Sequence, residues 1–409
     1  MNKFSTFLIE SKNTHMEHIE ELIFNEGVTG TRKAINFLRD IRDALAGSAS
    51  RPINFTVKWD GAPAIFAGID PSDGKFFVAK KGVFNKNPQV FKTVKDIDND
   101  PKFPSDLKQP FKLALENLSR MGIRGVIQGD FMFGPGDLQR ETIDEGDYLT
   151  FQPNTIVYAV PSDSKLAKEM KSAKIGIVWH TTYTGRSLES MKASFGKDIH
   201  KRLRKNKNVW MDDATFRDHS GTATFTKTET AEITRILSNA GSTFQKIKAS
   251  TLNDISDNEA LSGRMKVYNN AQIRLGKQIN FDNAVPGLID AITAYWNNEI
   301  EKVKTDSSKQ SKTESKNNMI KFINDNKDDI SNIYKLMGHL TDAKAMVISK
   351  LNKGSALKTF LRTAYGFKVT NEEGYVAIDR LSSGAIKLVD RLEFSRANFS
   401  PEVIKGWER

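Results

Sequence analysis

The sequence contains no cysteine. Disulfides, thiolate metal sites and thiol catalysis are thereby excluded, and the composition fits a reducing cytosol. Long apolar runs are missing as well. No stretch approaches the ~20 apolar residues of a membrane span, and no apolar block follows the N-terminus as a secretory signal requires, so a soluble, intracellular chain with no membrane partner is expected. Internal repeats are absent. Acidic residues are in deficit, 50 against 61 Lys+Arg, for a net charge of +11 over 409 residues. That excess points to a polyanionic partner, nucleic acid or nucleotide. At 38% hydrophobic, the chain can bury one large core or two moderate ones.

The stretch around which the rest is organised is Ile53-Asn54-Phe55-Thr56-Val57-Lys58-Trp59-Asp60-Gly61-Ala62-Pro63. Ile53, Phe55 and Val57 alternate with Asn54, Thr56 and Lys58, the period of a half-buried strand, and Asp60-Gly61 reads as a tight turn. A lysine at a strand end with a carboxylate two residues on is suited to act as an amine nucleophile. The bland alternative is a hairpin whose lysine faces water.

Before this strand, Thr31 reads as an N-cap for a helix through Ala34, Leu38, Ile41 and Leu45, closed by Gly47. After it, residues 53 to about 185 are β-rich. Strands are expected at 64–68, 75–79, 126–133, 155–160 and 174–180, with a helix over 105–122. Lys80 and Lys81 precede Gly82 at a hairpin tip. Asp130 is an acid inside an apolar strand, which is costly unless it is paired or binds a cation. His180 has no second histidine at ligand spacing and reads as a hydrogen-bonded strand residue.

From 186 to 365 the pattern is mostly helical. Leu288, Ile292, Tyr295 and Trp296 form one stripe beyond Pro286, and helices are expected at 319–337 and 342–364. The Ser/Lys/Thr-rich stretch from Lys304 to Asn318 reads as a flexible loop. The basic run His200 to Lys207 either contacts phosphates or forms a solvated face. Strands return at 371–379, with Glu373-Gly374, and at 385–391, with Lys387, across a turn at Ser382-Ser383-Gly384.

Lys58-x-Asp60-Gly61, the Gly129-Asp130 strand, and Glu373-Gly374-x-Val376 followed 14 residues later by Lys387 occur in the order of the covalent nucleotidyltransferase motifs. The chain resembles that superfamily of ATP-dependent DNA and RNA ligases and mRNA capping enzymes. The resemblance covers roughly 53–180 and 366–395, and it departs from the pattern in four ways. Asp130 stands for the usual glutamate, and Val389 stands where many relatives carry a second lysine. A helical stretch divides the halves of the site. Only 22 residues follow Lys387, too few for a C-terminal OB domain. The last point implies the phage RNA-ligase-like branch.

The resemblance implies an α+β fold, with an antiparallel nucleotidyltransferase core bearing a large, mostly helical insertion. Its parts would be an N-terminal helical segment (1–50), the core's first part (51–185), the helical insertion (186–365) and the closing strands (366–409). It implies an ATP-dependent RNA ligase working through a lysyl-AMP intermediate, with ATP and Mg²⁺ as cofactors. Lys58 would be the nucleophile, Asp60 would position it or a metal-bound water, and Lys387 with Lys80 or Lys81 would offset phosphate charge. Tyr158, with Trp179 in reserve, would stack on the base opposite Val376. Glu373 and Asp130 would hold Mg²⁺ or the ribose. An attacking amine must be neutral, whereas free lysine titrates near pH ~10.4, so neighbouring cations and burial are required. RNA rather than DNA is the expected partner. Residues 1–12 resemble the openings of several tailed-phage proteins, which implies host cytoplasm or virion as location. The alternatives are a non-catalytic nucleic-acid-binding or virion protein on a degenerate scaffold, and a GTP-using guanylyltransferase.

Overall fold

The computed structural model describes residues 17–49, 53–195, 198–218, 221–354, 357–379 and 385–406. A short 3-10 turn, Ile19–Glu21, leads into helix α1 (Leu22–Leu45) and strand β1 (Ile53–Lys58). Strands β2 (Ala64–Ile69) and β3 (Phe76–Ala79) are followed by helices α2 (Val94–Asn99) and α3 (Ser105–Leu118) and by β4 (Val126–Phe133). A meander of β5 (Gln139–Ile143), β6 (Gly146–Phe151) and β7 (Ile156–Pro161) precedes α4 (Lys165–Ser172) and the long β8 (Ile175–Thr184). Strands β9 (Lys192–Phe195) and β10 (Val209–Asp213) come next. Six helices follow: α5 (Lys227–Phe244), α6 (Ala249–Asp257), α7 (Glu259–Arg274), α8 (Ala284–Glu301), α9 (Asp306–Asp325) and α10 (Lys327–Asn352). Strands β11 (Lys358–Thr363), β12 (Gly366–Val369), β13 (Gly374–Asp379) and β14 (Ala385–Leu388) then lead to α11 (Arg391–Phe399).

The fold is α+β with largely antiparallel sheets. Among the described residues three sheets form, with the orders β1-β13-β14, β10-β8-β4-β2-β3 with β9 beside β8, and β12-β11-β7-β6-β5. The β10–β8 pair is the parallel one among them. The three-stranded sheet lays Phe55, Val57, Tyr375, Ala377, Ile386 and Leu388 on the helices, in one core with α1, α5 and α10. In the six-stranded sheet, Ile127, Phe131, Ile177 and Trp179 point to the side covered by α3. Met132, Phe133 and Val178 meet Phe151, Ile156 and Tyr158 of the five-stranded sheet. No helix among the described residues is long and apolar enough to cross a membrane.

Several expectations change. Thr31 is not an N-cap: α1 starts at Leu22 and is broken at Gly27, whose φ of 54° and ψ of −129° are non-helical. The Thr31 hydroxyl donates to the Gly27 carbonyl at 2.8 Å, inside the helix. The apolar period continues backwards through Ile23 and Phe24 across that break. Gly47 does close the helix, at φ +72°. The stretch 304–318 is helical: Thr305 caps Ser308 N–H, and Lys312 pairs with Glu299 of α8 at 3.0 Å. Straight-chain Lys, Gln and Glu carry helix propensity even without an apolar stripe. The division between the last two long helices falls at Asn326 rather than near 340, and 358–363 is a strand pairing with β7, not the end of a helix. The stretch 186–365 therefore contributes β9, β10 and β11 to the sheets. Residues 1–12 and the turn at 382–384 lie outside the described residues.

Candidate active site

The chain passes from the three-stranded to the six-stranded sheet through Trp59-Asp60-Gly61-Ala62-Pro63, and a cleft of about 740 Å³ lies between the sheets at this crossing. Strand alternation sets which side chains reach it. Phe55 and Val57 pack on helices, which turns Thr56 and Lys58 toward the cleft. Thr56 pairs with Val376, and Val376 with Lys387, so these side chains stand abreast. Gln128, Asp130, Val178 and His180 face them from β4 and β8. The structure thus brings Lys58, Asp60, Lys80, Lys81, Asp130, Glu373, Val376 and Lys387 together around one cavity.

Lys58 Nζ donates to Glu373 Oε1 as an ion pair. Asp60 is buried, and its carboxylate accepts from Asn154 Nδ2 (2.6 Å), Thr155 N–H (2.7 Å) and Ile156 N–H (2.8 Å). These bonds anchor the crossing to the β6–β7 turn. Gly61 is dictated by close approach: a Cβ there would lie 2.5 Å from Asp130 Cβ. Gly129 is equally tight, a Cβ meeting Val178 O at 2.4 Å.

Tyr158 is not in the cleft. It is fully buried, stacks on Phe151 at 5.3 Å, and its hydroxyl accepts from Asp60 N–H at 2.7 Å. Trp179 is also fully buried, on the α3 side. Neither offers a face to a base, because both alternate into cores. The aromatic side chains that line the cleft are Trp59 and Phe394. Trp59 is readable in hindsight, standing between the motif's lysine and aspartate; nothing in the sequence singles out Phe394. Of the two hairpin lysines, Lys80 rests its ammonium 4.0 Å from the centre of the Phe103 ring, while Lys81 is exposed and its charge reaches Asp130. The basic run lies elsewhere. Leu203 packs into the core under α3 and Asn206 bonds to Asn117 at 3.2 Å, so 200–207 sits on the side of the sheet away from the cleft.

The family described as "Family of unknown function (DUF6267)" matches residues 13–403. The chain belongs to that family. Neither the curated proteins nor the solved structures contain a match.

The electrostatics of this DUF6267 chain distinguish its acids. Burial pushes Glu373 up to about 7, against the opposing pull of Lys58. Burial also raises Asp130, opposed by His180, Lys58 and Lys81. Lys387 is lowered by burial and by the nearby Lys58 charge. Glu373 is paired with Lys58, and Asp130 faces His180. A second group of ligand types, missed from the sequence, joins His200 Nδ1 to Asp213 Oδ2 at 2.6 Å beside Asp212. Arg217 bonds both carboxylates, at 3.1 and 3.2 Å, and answers their charge.

Proposed function

We propose that the cleft binds ATP and that Lys58 takes up the adenylate, as in ATP-dependent RNA ligation. The observation that carries this reading is the contact of Lys58 with Glu373, a carboxyl raised to about 7 by burial and so suited to accept the ammonium proton near neutrality. In the transfer step the neutral Lys58 nitrogen attacks the α-phosphorus. An N–P bond forms, the P–O bond to pyrophosphate breaks, and pyrophosphate leaves with its electron pair. Glu373 holds the ammonium proton, and the second N–H proton, shed as the N–P bond forms, leaves on the pyrophosphate. Lys81 and Lys387 offset phosphate charge, Asp60 holds the Lys58 end of β1 in place, and Val376 packs beside the bound base. Asp130 is the residue suited to hold a divalent cation, whose chemistry is to neutralise the phosphates. The resemblance supports RNA as the acceptor, which would receive the adenylate on a terminal phosphate.

Since Tyr158 does not reach the cleft, a second reading has the same pocket bind nucleotide or nucleic acid without transfer. Incubation with ATP or GTP labelled at the α-phosphate, followed by denaturing electrophoresis, separates the readings. ATP-derived label on the chain that is absent from Lys58→Ala supports adenylation. GTP-derived label alone indicates a guanylyltransferase, and no label from either leaves the binding reading.

A further inference from the structure

His180 occupies a special place in β8. Gln128 of β4 pairs with Thr181 and Gly129 with Trp179, so His180 is the residue left over at a β-bulge. A bulge re-aims a side chain and flips the alternation of its strand. Here Trp179 points into the core under α3, whereas Tyr183, four residues on, packs on the other face with Phe66 and Val126. The flip leaves His180 beside Asp130 at the floor of the cleft.

Two contacts define what the imidazole does there. Its Nδ1 is 2.8 Å from Thr181 Oγ1, which fixes the ring and leaves Nε2 facing the cavity. Nε2 lies 3.6 Å from Asp130 Oδ2, too far for a hydrogen bond. Two donor atoms each about 2.1 Å from a shared ion lie roughly 3 to 4 Å apart, depending on the angle between them. The spacing suits a bridging cation. The Thr181 contact supplies the second partner that a metal-bound imidazole ordinarily has on its other nitrogen. Both side chains are accessible from the cavity, 30% exposed for His180 and 23% for Asp130, so water or phosphate oxygens can complete the coordination.

We infer that Asp130 and His180 together hold one divalent transition-metal ion at the floor of the cleft, Mn²⁺ in preference to Mg²⁺. One imidazole and one carboxylate form a mixed nitrogen and oxygen set, whereas Mg²⁺ favours oxygen alone. The nearby positive charge of Lys58 is answered by Glu373. The inference deepens the nucleotide reading of the same cleft, but its test needs no nucleotide.

The experiment is Mn²⁺ titration of the full chain followed by electron paramagnetic resonance, with electron spin echo detection of ¹⁴N coupled to the bound ion. Wild type is expected to bind Mn²⁺ with an imidazole ¹⁴N signal, Mg²⁺ displacing it only in large excess. His180→Gln should lose the signal and bind at least about tenfold more weakly, and Asp130→Asn should weaken binding likewise. Circular dichroism of each variant separates lost ligation from lost folding. A signal that persists in His180→Gln, or that disappears in His200→Gln instead, overturns the site, as does a wild type that binds no Mn²⁺. Lys58→Ala should keep the ion. If wild type and Lys58→Ala both bind Mn²⁺ through His180 while no adenylate is ever transferred, the ion site stands and the transfer reading falls.

Discussion

Lys58 and Glu373 are 315 positions apart in sequence and form one ion pair at the mouth of β1. The antiparallel register brings them together, since Lys58 lies opposite Gly374 on β13. Gly374 itself leaves no room for a side chain, with a Cβ reaching Leu388 O at 2.7 Å. The pair joins the amine expected to react with a carboxyl able to take its proton.

Glu373→Gln removes that acceptor while keeping size. Adduct formation should slow by about 10² or more, the usual worth of a positioned base. In wild type the rate should rise with pH as Glu373 ionises near 7, and the Gln variant should lack that limb. Initial rates of label incorporation between pH 5.5 and 8.5 provide the check (a working range of roughly one to two units either side of the midpoint).

Asp60→Ala strips the acceptor from three donors, two of them backbone N–H groups. Hydrogen bonds to a charged group contribute about 1.5–3 kcal/mol each, and orphaned buried donors add a desolvation cost. A loss of about 3 kcal/mol or more in urea unfolding is expected. An unchanged midpoint would mean that the crossing is not anchored through Asp60.

Gly61→Ala would force Cβ against Asp130 and against Met132 Sδ at 3.0 Å. The cost should be about 1–3 kcal/mol, as for overpacking elsewhere. Because the displaced residue is Asp130, Mn²⁺ affinity should fall together with stability, as calorimetry and thermal melts on one sample would show.

Acid stability is set partly by His18 and Glu20. Burial, reinforced by Lys344, Arg391 and Lys387, lowers His18 to about 3 from 6.5. Burial alone would raise Glu20, but Lys344, His18 and Arg391 bring it to about 2. Both groups are depressed in the fold, so the stability they confer is present above their unfolded values. For His18 it is lost as pH falls from 6.5 toward 3, and for Glu20 as pH falls from 4.5 toward 2. Each unit of difference corresponds to about 1.4 kcal/mol. His18→Gln should flatten the loss between pH 6.5 and 4.5 in urea titrations.

The face of Lys58 was legible because alternation fixes it: Ile53, Phe55 and Val57 take the core side and leave Lys58 on the other. Tyr158 was not legible in the same way. Its strand is apolar on both faces, Ile156 to Val160 being buried throughout, so no alternation tells core from cavity. Lys358–Thr363 continues a helical pattern, and its pairing with β7 on one side and β12 on the other makes it a strand. The polar first half of α9 has no apolar stripe, and its helix shows through capping and the Lys312–Glu299 contact. His180 needed the bulge, a property of two strands together. The Lys58–Glu373 pair likewise depends on a sheet closed by residues from both ends of the chain.

The most direct test of adenylate transfer to Lys58 is mass spectrometry of the intact chain after incubation with ATP and a divalent cation, followed by peptide mapping. A gain of one adenylate, carried on the peptide containing Lys58 and absent from Lys58→Ala, is the predicted result. An unmodified chain, or an adduct on any other residue, would contradict it.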